Sequence, residues 1–169
     1  MTSFDDDDGA SLMTPHMAAT DPAFAALLLS SHLSLAGEPL CPAAWETERD
    51  AARWLYEQAP FGLLAHDTSV DPRFVYANRT AQDRFGYSWD EFVGLPSRLS
   101  ARPDGQEDRE AFVRAVTDDH YATGYQGIRV GKGGRTFWIE DVTMWDLIDT
   151  HGRIHGQAAV FRSSSPTGR

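Results

Sequence analysis

The sequence predicts an α+β fold in which helices precede and interrupt a set of antiparallel strands. Two short apolar segments, residues 61–65 and 73–77, flank the turn-forming residues Asp67 to Pro72 and predict a hairpin. Three more strand patterns follow in the last third of the chain, separated by short glycine-containing turns that favour antiparallel pairing. We predict these three strands over Tyr125–Val130, Arg135–Leu147 and Arg153–Arg162.

Two amphipathic helices are predicted ahead of the hairpin. The first is delimited by Asp21 as N-cap, Pro22 at its first position and Gly37 after its last turn. Short amphipathic helices are marginal alone, so each needs an apolar surface to cover. Two alternatives remain open, since that surface is either the sheet of the same chain or a second copy. His32 lies beside the apolar stripe and is predicted to be a hydrogen-bonded core histidine.

Two further helices are predicted between the hairpin and the C-terminal strands. Ser88 and Glu91 fit a capping box, in which each side chain bonds the backbone amide of the other residue, and Gly94 can end that short helix in a left-handed conformation. A longer helix over residues 107–118 places Phe112 and neighbouring valines inward. It is predicted to cross the sheet and connect to the strands.

Charge and composition exclude several functions. The net charge is −10, with most of the excess acid in the first sixty residues, so neither half has the basic field that nucleic-acid binding requires. Cys41 is the single cysteine and cannot form an internal disulfide. The apolar run Ala23–Leu29 is too short to span a membrane. We therefore expect a soluble cytoplasmic protein without direct nucleic-acid or membrane contact.

The domain organisation is predicted from composition. Residues 1–20 are acidic and polar and are predicted to be a disordered tail. Residues 21–60 form a helical extension, residues 61–163 form the globular domain, and residues 164–169 form a second disordered tail. His151 and His155 flank a predicted turn rather than sharing a helical face, so no metal site is predicted.

Two segments, FVYAN (74–78) and FGYSWDEFVG (85–94), resemble signature positions of PAS domains. A fuller resemblance is carried by Ser31-His32, Leu55-Tyr56, AHD (65–67), PSRLSA (96–101), GIRV (127–130), FWIEDVTMWDL (137–147) and GQAAVF (156–161). Together these segments resemble the MEKHLA domain, a PAS-like family met as stand-alone bacterial proteins and at the C-terminus of plant homeodomain-zipper transcription factors. The resemblance implies a five-stranded antiparallel sheet, with short helices on one face enclosing a hollow that can hold a ligand.

A comparison with LOV domains, the flavin-binding branch of PAS folds, implies that a flavin is not expected. The resemblance places Ser97 at the position of the cysteine that forms the flavin adduct, and a hydroxyl cannot replace that thiol. The flavin-contacting asparagines fall on Arg129 and Ile139. The glutamine of the last strand falls on Ala158, while Gln157 is one residue out and is predicted to face the opposite side. The cofactor, if one is bound, stays unidentified.

The same comparison implies which residues line the hollow. Phe137, Ile139, Asp141, Thr143 and Trp145 are predicted to face inward. An inward Asp141 and Arg129 would pair with each other, with Arg98, or with a polar ligand, because an unpaired buried charge is costly. A plain ion pair without a ligand remains an open alternative. The candidate ligand-binding residues are Asn78, Ser97, Arg98, Arg129, Ile139, Asp141 and Trp145.

We predict a sensory or regulatory module that binds a small polar ligand, mediates dimerisation, or does both, and that has no output domain of its own. Its expected partner is a second copy or another protein. One alternative is a small enzyme in which Asp141, Arg129, Arg98 or His66 supplies acid–base or anion-binding groups. Ser97 adjoins an arginine rather than a histidine, and there is no G-x-S-x-G motif, so catalysis is the less favoured prediction. Another alternative is a ligand-free dimerisation module.

Overall fold

The computed structural model of the protein describes residues 12–14, 17–41 and 44–167. Its helices are α1 (Pro22–Ala36), α2 (Glu48–Glu57), α3 (Arg79–Phe85), α4 (Trp89–Phe92) and α5 (Gln106–Asp119). Its strands are β1 (Gly62–His66), β2 (Phe74–Ala77), β3 (Tyr121–Val130), β4 (Thr136–Ile148) and β5 (Ile154–Pro166). They form one five-stranded sheet in the order β2-β1-β5-β4-β3, with antiparallel neighbours. The predicted α+β class is confirmed.

The helix ends follow the local signals in the sequence. The Asp21 carboxylate accepts hydrogen bonds from the amides of Ala23 and Phe24 at 2.8 and 3.1 Å and caps α1, which ends at Gly37 with φ +77°. The capping box of Ser88 and Glu91 is present at the start of α4. These ends are predictable because each depends on residues within one helical turn.

The sheet is covered on both faces. On the first face, α1 and α2 share a core with Leu63, Val75, Trp145, Leu147, Ala158 and Val160. On the second face, the helices from α3 onward pack against Leu64, Phe74, Ile139, Val142 and Phe161. The helices of the predicted PAS-like unit therefore lie on one face, and the two N-terminal helices lie on the other.

The first helix covers the sheet of its own chain. The Ser31 hydroxyl donates to the carbonyl oxygen of Ile148 and accepts from its amide, both at 2.9 Å, which fixes α1 to the end of β4. His32 is buried, and its Nδ1 is 3.1 Å from the carbonyl oxygen of Glu38, as predicted for a core histidine. Of the two surfaces considered for α1, the structure shows the intramolecular one.

The folded part extends beyond both predicted boundaries. Met13 and Met17 are buried in the first-face core, so the described residues among 12–20 do not form a tail. Residues 1–11 and 15–16 lie outside the described residues. At the other end β5 continues to Pro166, which pairs with Phe137, past the predicted end at residue 163. Residues 168–169 also lie outside the described part.

A bulge interrupts β4 at Asp141. Gly127 of β3 pairs with Ile139, and Tyr125 pairs with Val142, so β4 has one more residue than β3 in this interval. Asp141 adopts φ +53°, a left-handed conformation that aspartate tolerates better than most residues.

The bulge exchanges the faces of the strand that follows it. Because successive side chains alternate, one extra residue moves Val142 and Met144 to the second face with Ile139. Trp145 moves to the first face, where it packs in the core beneath α1. The predicted inward facing of Asp141, Thr143 and Trp145 is therefore wrong.

Candidate ligand cavity

A small cavity lies between the second face of the sheet, α5 and the turn Ser97–Ser100. Its volume is about 60 Å³. Side chains from the sheet, the turn and the helix line it. The family resemblance implies a ligand at this position, between the sheet and the short helices. The lining residues are Leu64, Ala65, His66, Phe74, Ser97, Ser100, Arg109, Phe112, Val113, Tyr125, Arg129, Ile139, Val142, Met144, Gln157, Ala159 and Phe161.

Two of the described residues that line this cavity are arginines, Arg109 and Arg129, and Arg129 is the more buried of the two. Only 8% of its surface is exposed. One guanidinium nitrogen donates to the carbonyl oxygen of Ile128 at 3.1 Å, and the group lies over the ring of Tyr125, with 5.1 Å between the guanidinium carbon and the ring centre. Tyr125 in turn stacks on Phe112 at 4.7 Å. This stack holds Arg129 in place at the cavity.

Arg109 is a second arginine at the cavity, and sequence reasoning missed it. It lies on α5, and its Nη2 donates to the hydroxyl of Ser97 at 2.9 Å. The pKa of Arg109 is lowered, first because burial removes water from the guanidinium and second because the positive charge of Arg129 is near. A signal was available, since Arg109 precedes Phe112, Val113 and Val116 by three, four and seven residues and so shares their helical face.

Ser97 joins the turn to the cavity. Its amide donates to the carbonyl oxygen of Pro72 at 2.8 Å, and its backbone carbonyl accepts from the Ser100 hydroxyl at 2.6 Å. These bonds fix the side chain of Ser97 beneath the turn, with 1% of the residue exposed. Ser97, Arg129 and Ile139 are the predicted ligand-binding residues that the structure brings to the cavity.

His66 supplies a neutral polar group at the end of β1. Burial lowers the pKa of His66, and the positive charge of Arg109 acts in the same direction, while the hydrogen bond to the Asp67 carbonyl opposes them. Its Nδ1 lies 2.9 Å from that carbonyl oxygen, so Nδ1 carries the hydrogen and Nε2 is left as an acceptor. The Asp67 carboxylate instead accepts from Ser69 and Arg73 in the turn, so it is a turn residue and not a partner for acid–base chemistry.

Gln157 faces the cavity, contrary to the prediction. It pairs with Asp146 across β4 and β5, while Ala158 packs in the core of the first face. The Gln157 amide donates to the buried Asp146 carboxylate at 2.9 Å, and the other oxygen of that carboxylate lies 2.6 Å from Nδ1 of His120. His120 is the C-cap of α5, so a polar chain joins the cavity wall to the end of this helix.

Arg98 lies outside the cavity. Its guanidinium is exposed and pairs with Asp71 at 3.2 Å. A surface hollow lined by both residues also borders Ser97 and Arg109, so Arg98 stands beside the outer wall of the cavity and not inside it. Arg98 points outward because Ser97–Ser100 forms a single 3₁₀ turn, which brings Ser97 and Ser100 to the interior and leaves Arg98 and Leu99 exposed.

The structure places the remaining predicted residues away from the cavity. Asp141 is exposed at the bulge and forms no ion pair with Arg129 within the described part of the chain. The Trp145 ring packs edge-on against His32 at 4.9 Å on the opposite face. Asn78 is completely buried, and its side chain is used in four hydrogen bonds to the surrounding backbone.

The cavity does not fit a flavin. Pockets that enclose ligands of that size have volumes of roughly 300 to 1,000 Å³, several times the volume present here. Ser97, which the comparison with LOV domains places at the position of the adduct cysteine, already accepts a hydrogen bond from Arg109. Within residues 12–14, 17–41 and 44–167, no cluster of three or more histidine, cysteine or acidic residues could hold a metal. Nor does any described helix have the length and apolarity needed to cross a bilayer.

The fold and the position of the cavity define a domain of the PAS class, a class of sensory and regulatory domains. Residues 22–165 match the MEKHLA domain family, and the chain belongs to it. This confirms the resemblance read from the sequence.

Solved structures similar to this chain share its fold. A PAS domain of a protein from Colwellia psychrerythraea superposes with a TM-score of 0.59 and 18% identity, over 68% of this chain and 94% of that one. The LOV domain of the blue-light photoreceptor Aureochrome1 superposes with a TM-score of 0.52 and 24% identity, over 64% of this chain and 76% of that one.

A bacterioopsin transcriptional activator from Halobacterium salinarum is 36% identical over 118 residues. The match covers 69% of this chain and 17% of the length of that relative.

Proposed function

We propose that this domain is a sensory or regulatory module that binds a small polar molecule in the cavity and passes the change to a second copy or a partner protein. The observation that carries the proposal is Arg129, a charged side chain buried beside the cavity with a backbone carbonyl and an aromatic ring as its contacts. Burial of a charge is costly without strong partners, so a site of this kind is suited to a polar ligand.

Two routes lead from the cavity to the surface of the domain. Arg129 belongs to β3, which is an edge strand of the sheet, and Gln157 connects through Asp146 to the end of α5. A ligand that changes either contact would alter an exposed element. The similarity to part of a transcriptional activator supports a regulatory role.

Binding is favoured over catalysis by the surroundings of Ser97. Its hydroxyl accepts from Arg109, and no described hydrogen bond joins it to a histidine that could act as a base. Dimerisation through α1 and α2 is not supported, because the apolar faces of these helices pack on the sheet of the same chain. A second copy would instead contact another surface.

Native mass spectrometry of the protein purified from its host tests the proposal, together with an absorption spectrum of the same sample. We expect a bound mass far smaller than a flavin and no visible band. Ile139→Phe, which fills the cavity, should abolish the bound mass, whereas Val70→Phe at a fully exposed position should retain it. A bare monomer without a ligand or partner under native conditions would refute the proposal.

A further inference from the structure

The cavity contains two positive charges and no described negative charge that pairs with either. Arg109 and Arg129 approach it from α5 and from β3. In the described residues, the ion pairs involve other side chains, and neither of these arginines has a carboxylate partner. Glu110 acts on Arg109 only as a more distant charge on the exposed side of the helix.

The contacts that the two arginines do make are neutral. Arg109 bonds the Ser97 hydroxyl, and Arg129 bonds a backbone carbonyl and stacks on Tyr125. Two like charges brought together with little water repel each other, and neutral partners do not remove that repulsion. An anion bound between them would accept hydrogen bonds from free guanidinium hydrogens of both arginines and offset the repulsion.

Most of the remaining wall is apolar, apart from neutral polar groups such as His66 and Gln157. Leu64, Phe74, Val142, Met144 and Phe161 project from four strands into the same space. A purely inorganic anion would leave this surface without a partner, whereas an amphipathic ligand would contact both walls. The cavity of about 60 Å³ has room for roughly four to six non-hydrogen atoms, on the basis that a single water needs about 10–15 Å³.

From these observations we infer that the ligand is a short-chain monocarboxylate, with its carboxylate held by Arg109 and Arg129 and its alkyl chain against the sheet. The inference rests on the proposed ligand-binding function and specifies its chemistry. Arginine donates in a planar fork that matches the two oxygens of a carboxylate, which makes this pairing geometrically suitable.

Titration calorimetry of the wild-type protein tests whether the ligand must carry a negative charge. The two probes are propionate and propionamide, compared at constant chloride concentration. The two probes have nearly the same shape, and only propionate carries the negative charge. We expect propionate to bind roughly tenfold or more tightly than propionamide, because hydrogen bonds to charged groups are stronger than those between neutral groups. Equal affinity for the two probes, or tighter binding of inorganic phosphate than of propionate, would overturn the inference.

Arginine-to-glutamine variants test whether the two cavity arginines hold the carboxylate. Arg109→Gln and Arg129→Gln should each weaken propionate binding by roughly tenfold or more. Arg49→Gln removes the same charge from an exposed position on α2, across the sheet, and should leave the affinity unchanged. An equal loss in all three variants would overturn the inference, because it would indicate a general field effect. If a cavity variant does not fold, the comparison of the two probes on the wild-type protein still shows whether the cavity prefers a carboxylate.

The outcomes also separate the inference from the function on which it rests. Binding of neutral probes without preference for carboxylates would overturn the ligand class and leave the binding module intact. If none of these probes binds and native mass spectrometry shows no bound mass, both the inference and the proposed function fail.

Discussion

Asn78 is a structural residue whose removal should destabilise the whole domain. Its side-chain oxygen accepts from the amides of Leu63 and Ala81, both at 3.0 Å, and its amide nitrogen donates to the carbonyls of Leu55 and Phe61 at 3.1 and 2.9 Å. The residue is completely buried. One side chain therefore links the end of α2, the start of β1 and the first turn of α3.

Asn78→Ala would leave two buried amides without an acceptor and two carbonyls without this donor. A buried backbone group that loses its partner costs about 1–3 kcal/mol, so we expect the free energy of unfolding to fall by about 3–5 kcal/mol. For a chain of this size the melting temperature should fall by about 10–15 °C.

Ser88→Ala is the matched control, since Ser88 is also an N-cap but its hydrogen bonds are exposed. That change should cost only about 1 kcal/mol. Urea unfolding, followed by both circular dichroism and tryptophan fluorescence, measures the two costs under identical conditions. If Asn78→Ala costs no more than Ser88→Ala, the assignment of Asn78 as the buried link between these elements is refuted.

Three other outcomes follow from the structure. Gly131→Ala should destabilise the domain by more than about 1 kcal/mol, because its Cβ would collide with the carbonyl oxygen of Phe85. Gly105→Ala meets no neighbouring atom and should cost less in thermal melts, no more than an alanine costs at a helix N-cap. His66 has a lowered folded-state pKa, so the unfolded chain binds the proton first and stability is lost as the pH falls below about 6.5 towards the folded-state value. His66→Gln should reduce that loss in melts between pH 7.5 and 4.5, and an unchanged pH profile would contradict it. Arg98→Gln should change the free energy of unfolding by less than about 1 kcal/mol, since its ion pair is exposed, and a larger change in urea unfolding would count against the pairing described.

Features set by a few neighbouring residues could be predicted from the sequence. The caps at Asp21 and Ser88 and the left-handed glycine at Gly37 depend on contacts within a single turn. The order of elements followed from the same local signals and from the family resemblance. Burial of His32 was also predictable, because it stands beside an apolar stripe.

The site was harder to predict because it depends on strand register. The facing of β4 was read by counting alternate residues, and the bulge at Asp141 invalidates that count for every later position. Nothing in the sequence marks this bulge except an aspartate, which occurs in many other conformations. Gln157 was placed on the wrong face because the comparison with the flavin-binding branch assigned the inward position to Ala158. Arg109 was overlooked because a charged residue on a helix is normally assigned to the solvent side.

The extra residue in β4 constrains how this chain can vary. Deletion of a single residue, either 140 or 141, would not act locally, because it would send Trp145 and Leu147 towards the cavity and Val142 and Met144 beneath α1. The Trp145 ring, which fits against α1, would then collide with α5, while smaller side chains would leave a gap under the first helix. We expect the length of this segment to be under stronger selection than the identity of its exposed residues. Insertions and deletions in the family should therefore accumulate in the turns and avoid the middle of this strand.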